Sequence, residues 1–227
     1  MHRRQFVLLA AAYPVISALP SLARADCAIP EERAQWLVTN VHAGAHAFVW
    51  LGQPRGLAVP VDLETHIAGA PVRLPITWVV PGVAQITIPP VAIGTLTLTT
   101  PPRAAGRTSG ALQITITAGP PPARVSAPPA QVRCERASRP LHYDPAAEFV
   151  TVRFDATTTA RHLLARWGRV GAFVTLEPGA TSAEIFAVGR CGNRPLDVPS
   201  PRTGERVELA FLDDEGNLSS FTRTTAP

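Results

Sequence analysis

Thr95-Leu96-Thr97-Leu98-Thr99 and Gln113-Ile114-Thr115-Ile116-Thr117 each place an apolar side chain on every second position. A period of two gives a strand one buried face and one wet face, the pattern of an antiparallel sheet covered on one side. Working outward, residues 46–51, 57–66, 72–80, 85–89, 93–100 and 111–117 alternate in the same way or are rich in β-branched residues, and each is expected to be a strand. Only residues 30–40 read as a helix, with Trp36 and Leu37 packing inward. The chain's 24 prolines are spread along its length. Each would cost a helix interior about 3 kcal/mol, so few helical windows survive.

The first half ends at Ala118-Gly119-Pro120-Pro121-Pro122-Ala123, followed by Ser126-Ala127-Pro128-Pro129. Consecutive prolines hold the backbone extended and remove donors, which suits a semi-rigid connector. The expected organisation is therefore a β-sandwich domain over 27–120, a Pro-rich linker over 121–130 and a second sandwich over 131–227. Residues 148–155, 162–167, 172–177, 182–188, 206–212 and 218–222 supply the second set of strands, with Gly, Pro and Asp between them.

The last of these form the most specific local feature. Val207-Glu208-Leu209-Ala210-Phe211-Leu212 runs into Asp213-Asp214-Glu215-Gly216-Asn217 and then Leu218-Ser219-Ser220-Phe221. Gly216 and Asn217 tolerate the positive φ that a tight hairpin needs. The hairpin resembles the closing hairpin of bacterial Ig-like and fibronectin type III-like domains. That resemblance covers the hairpin closely and the second half loosely, and implies an Ig-like sandwich there; with the strand patterning and the linker, the chain is expected to be all-β, two antiparallel Ig-like sandwiches. The second half departs from the antibody-type domain in one respect: Trp167 stands too far beyond Cys134 for the spacing between the second and third strands.

Residues 1–25 carry Arg3-Arg4 ahead of an apolar stretch and end on Ala23-Arg24-Ala25, a small-x-small cleavage site, so they are expected to be a signal peptide. Arg3-Arg4-Gln5-Phe6-Val7-Leu8 also resembles a twin-arginine export signal. The mature chain is then expected in the periplasm or secreted, with no transmembrane segment. Three of the 21 basic residues lie in this segment, leaving 18 against 17 acidic ones. With no basic run interleaved with aromatics, nucleic acid is not an expected partner. All 21 are arginine, which excludes lysine Schiff-base and P-loop chemistry.

An oxidising compartment favours disulfides. Of Cys27, Cys134 and Cys191, the pair Cys134–Cys191 would close a single domain and is the expected bridge. No CxxC motif is present, so neither a thioredoxin-like site nor a zinc ribbon is supported.

Chemistry-bearing residues are few. His42 and His46 flank Ala43-Gly44-Ala45, and Asp62, Glu64 and His66 alternate along a strand pattern. If these segments pair, three imidazoles and a carboxylate converge in a set suited to copper or zinc; the competing reading is a strand with a charged outer face. Trp36, Trp50, Trp78 and Trp167 offer flat rings for stacking a sugar, or simply fill cores. Asp213, Asp214 and Glu215 could bind calcium, or form a solvated turn. No G-x-S-x-G motif marks an acyl-transfer nucleophile. The expected function is a non-catalytic, cofactor-free binding or structural protein, its partner another protein or an envelope component. The alternative is a periplasmic copper- or zinc-binding protein built on His42, His46 and His66 with Asp62 or Glu64.

Overall fold

Backbone pairing, rather than any helix, organises the chain. The computed structural model describes residues 34–39, 41–52, 62–100, 110–119, 127–141, 144–155, 160–187 and 199–227. The expected signal peptide, Cys27, Cys191 and most of the expected linker lie outside them. Among the described residues every regular element is a strand, and no helix is long and apolar enough to cross a membrane.

Eight strands belong to the first half: β1 (Gln35–Trp36), β2 (Val41–His42), β3 (His46–Trp50), β4 (Asp62–Ile67), β5 (Ala70–Val80), β6 (Val83–Thr87), β7 (Gly94–Thr100) and β8 (Gly110–Thr117). They pair in the order β1-β3-β6-β5-β4-β7-β8-β2. All neighbours are antiparallel except β2 and β8. The long β5 joins two parts of this sheet, because Ala70–Pro75 pairs with β4 while Ile76–Val80 pairs with β6 across a bulge between Trp78 and Val80. Alternation places Leu96, Leu98, Ile114 and Ile116 inside with Phe48, Val83 and Ile86, and leaves Thr95 and Thr115 outside.

The helix expected over 30–40 is not formed across its described part. Gln35 and Trp36 pair instead with Trp50 and Val49, and the amide of Leu37 donates to the carbonyl of Phe48 at 2.8 Å. Leu37 and Val38 are buried side by side, and a strand edge against β3 buries them without the run of inward positions that a helix requires.

The second half holds β9 (Arg133–Leu141), β10 (Asp144–Arg153), β11 (His162–Trp167), β12 (Val170–Thr175), β13 (Ser182–Ala187), β14 (Arg206–Leu212) and β15 (Thr222–Thr225). These form an antiparallel pair of sheets, β13-β10-β9 and β12-β11-β14-β15. Seven strands split between two sheets is the Ig constant-type count. Val150, Val152, Leu163, Ala165, Trp167, Val207, Leu209 and Phe211 fill the space between the sheets, and Phe154 meets Phe211 edge-on at 5.3 Å.

The β12-β11-β14-β15 sheet contributes side chains to a core from each of its faces. Leu163, Ala165 and Trp167 point into the second core, whereas Leu164, from the opposite face of β11, joins the core of the first half together with Leu212. Phe173, Leu218 and Phe221 pack against that same core. Residues 32–227 accordingly form one compact unit.

Candidate functional site

The histidines singled out in the sequence go to separate places. Among the described residues β2 pairs with β8, β3 with β1 and β6, and β4 with β5 and β7. The pairing of the 42–46 segment with the 62–66 segment, on which the expected metal cluster depended, is therefore not made. His46 lies opposite Thr87, with Nδ1 3.4 Å from the Thr87 hydroxyl. His66 sits between Pro71 and Thr97, and the backbone positions of Asp62 and Glu64 face Pro75 and Arg73. Among the described residues no three His, Cys, Asp or Glu side chains gather as a metal-binding group. Cys134 is a free thiol, half-buried, and burial pushes its pKa up despite a hydrogen bond with Thr224; its expected partner Cys191 is not among the described residues.

All four tryptophans are placed by packing, Trp36 against the first core. Trp167 is buried in the second core, with its indole N–H donating to the carbonyl of Pro199 at 2.9 Å. Trp50 is also buried, its ring 5.2 Å from that of Phe173 on β12. Trp78 packs against the first core.

The acidic turn has a structural task that its sequence conceals. Asp213 is buried, and its Oδ1 accepts from the amides of Glu215 at 3.0 Å and Asn217 at 2.8 Å, while Oδ2 accepts from the Asn217 side chain at 2.9 Å. A carboxylate bonded three times to its own turn fixes that turn. So held, the turn is seated on the first half. The carbonyl of Asp214 accepts from the amide of Thr39 at 3.2 Å, and Glu215 Oε2 lies 3.2 Å from His42 Nε2. Gly216, at φ +81°, presses so close to the carbonyl of His46 that an added Cβ would collide with it.

A second set of contacts lies along the same face. Arg166 on β11 reaches the carbonyl of Val79 at 3.3 Å, stacks over Phe221 at 4.7 Å and bonds Glu208 at 2.5 Å. Glu208 also meets Arg206 and Arg223. Burial alone would raise the Glu208 pKa, but these arginines, Arg166 foremost, bring it down to about 2.

Between β6 and β7 the chain turns through Pro89-Pro90-Val91-Ala92-Ile93, with the Pro89 carbonyl accepting from the amide of Gly44 at 3.3 Å. Val91 is 88% exposed and Ile93 62%, while Ala92 between them is buried. Among the described residues these two are the large apolar side chains left in solvent. Sequence alternation treated Ile93 as the start of a strand and did not single out Val91.

No protein-family model matches the chain, and no curated protein matches it. Among solved structures it is similar to the fibronectin(III)-like modules of CbhA from Clostridium thermocellum, at 11% identity over 84% of this chain and 91% of that one with a TM-score of 0.26. It is also similar to the Ig1-2 module of the Drosophila receptor protein tyrosine phosphatase DLAR, at 12% identity over 86% and 98% with a TM-score of 0.28. The Yersinia pseudotuberculosis adhesin InvE matches at 13% identity over 86% and 58% with a TM-score of 0.25.

Proposed function

We infer that this chain is an exported, non-catalytic binding or structural protein whose two sandwiches act as one rigid body presenting the 89–94 turn to a partner in the cell envelope. The observation that carries the reading is the sheet β12-β11-β14-β15, which sends Leu163, Ala165 and Trp167 into its own core and Leu164, Leu212 and Phe173 from the other face into the core of the first half. A body braced in this way can hold a loop at a fixed position, and loops on rigid scaffolds are where contacts with partners concentrate. The turn bearing Val91 and Ile93 keeps apolar surface in water at a cost that capture by a partner would recover. The strand order gives the copper- or zinc-binding alternative no support.

The test is site-specific photo-crosslinking in cells producing the full chain, with the probe at Val91, at Ile93, or at Arg73 on the first sheet as a control. The reading expects one discrete adduct from positions 91 and 93, lost on Ile93→Asp or Val91→Asp in the neighbouring position and absent from Arg73. Equal labelling from all three positions, or no adduct, would contradict it.

A further inference from the structure

His162 is a buried imidazole held between the two halves. Only 8% of it is exposed. The carbonyl of Leu37, from the first half, accepts from its ring, and Nδ1 lies 3.3 Å from the hydroxyl of Thr175 on β12. With one nitrogen donating to a carbonyl, the other is free to accept from the hydroxyl, which is the arrangement of a neutral ring. The ring of Phe173 stands edge-on to it at 5.9 Å and in turn packs on Trp50. His162 thus sits at the meeting point of the Leu37 segment, β12 and the 213–217 turn.

The charges around it come from two directions. Arg161 precedes it, and Asp214 approaches from the turn, the two side chains themselves 3.9 Å apart. The segment around Leu37 presents only its carbonyl, and β12 presents Thr175 and Phe173, none of them charged. The neighbouring contact across the junction, His42 Nε2 3.2 Å from Glu215 Oε2, involves the same turn.

We propose that the junction between the halves is released by acid, with His162 as the residue whose protonation loosens the contact of Leu37 and the 213–217 turn with the first half. A second proton would place a full charge in a buried site beside Arg161, with the half-exposed Asp214 as its only anionic neighbour in these contacts. Burial, the largest influence, and Arg161 lower the His162 pKa, while Asp214 and the Leu37 carbonyl act against them and do not prevail. The sign follows: a depressed folded pKa means the unfolded or opened state takes up protons more readily. The junction is fully stabilised above the ordinary histidine value of 6.5 and weakens as pH falls below it toward the folded value.

The direct reporter is the amide of Thr39, whose bond to the Asp214 carbonyl crosses the junction. In the full chain, Thr39 protection against hydrogen exchange, corrected for intrinsic rates, should fall by up to about tenfold per pH unit below 6.5, while the Val150 and Val152 amides in the far core keep theirs. His162→Gln, which retains an amide donor for Leu37 but cannot titrate there, should flatten that dependence, whereas His42→Gln should leave it in place. An unchanged slope in His162→Gln would overturn the proposal. Should that variant fail to fold, NMR titration of the wild-type His162 ring decides: a pKa below 6.5 supports the proposal, and one at or above 6.5 refutes it.

Discussion

Gly171 on β12 lies directly against the carbonyl oxygen of Pro81 in the β5–β6 turn. An added Cβ would fall well inside the 3.0 Å that side-chain carbons keep. Here the backbone of the second half touches the backbone of the first, and only glycine permits it. Gly171→Ala must push β12 away from the turn, loosening the Trp50–Phe173 contact beside it. Overpacking of this kind costs about 1–3 kcal/mol. A lower urea midpoint, with tryptophan fluorescence shifted to the red, is the expected outcome.

Phe173 belongs to β12 yet packs on the first core. Phe173→Ala should therefore destabilise the first half as well as its own, by up to about 3 kcal/mol because the ring is only partly buried. Comparing hydrogen exchange in β3 and β10 separates the cases. Faster exchange at Phe48 and Val49 is expected; a loss confined to β10 would argue that the halves are independent.

Glu208 is held ionised by three arginines, with its pKa near 2 against an ordinary value of 4.5. A depressed carboxylate contributes stability that is complete above about pH 4.5 and lost as pH falls from there toward 2. Glu208→Gln should destabilise the protein at pH 7, leaving Arg166, Arg206 and Arg223 crowded together, and should make the urea midpoint less sensitive to pH below 4.5. Parallel pH profiles for the two proteins would show that the cluster contributes nothing to stability.

Asp213→Ala leaves the amides of Glu215 and Asn217 without their acceptor, at about 1–3 kcal/mol if they stay unsatisfied. Since the turn it shapes is seated on Thr39, His42 and His46, the loss should also appear as faster exchange at the Thr39 amide. Asp214→Ala, which keeps the backbone carbonyl bonded to Thr39, should be much milder. Equal effects from the two substitutions would mean the Asp213 bonds do not set the turn.

The strands were legible where alternation was clean. Thr95–Thr99 and Gln113–Thr117 lie in β7 and β8 with the expected faces buried, and β11 and β14 match their expected limits. β9 gave no such signal. Arg133-Cys134-Glu135-Arg136-Ala137-Ser138-Arg139-Pro140 has no apolar period, because this edge strand is held by backbone pairing to β10 and its side chains are mostly exposed.

The junction was legible only in part. Leu163-Leu164-Ala165 and Leu209-Ala210-Phe211-Leu212 are continuous apolar runs, which strands covered on both faces require. They announce that something covers the second face without naming it. The covering residues, Leu37, Trp50 and Pro81, lie more than eighty positions away, and no local pattern links them to His162 or Gly171. The 213–217 turn misled for a related reason: its acidic composition suits solvent or calcium, whereas Asp213 is used up within the turn itself.

Residues 32–227 form one compact unit, so differential scanning calorimetry of the full chain should see its two halves melt together. A single transition with equal calorimetric and van't Hoff enthalpies, shifted as a whole to lower temperature by Gly171→Ala, is the predicted result. Two separable transitions, with neither moved by that substitution, would contradict it.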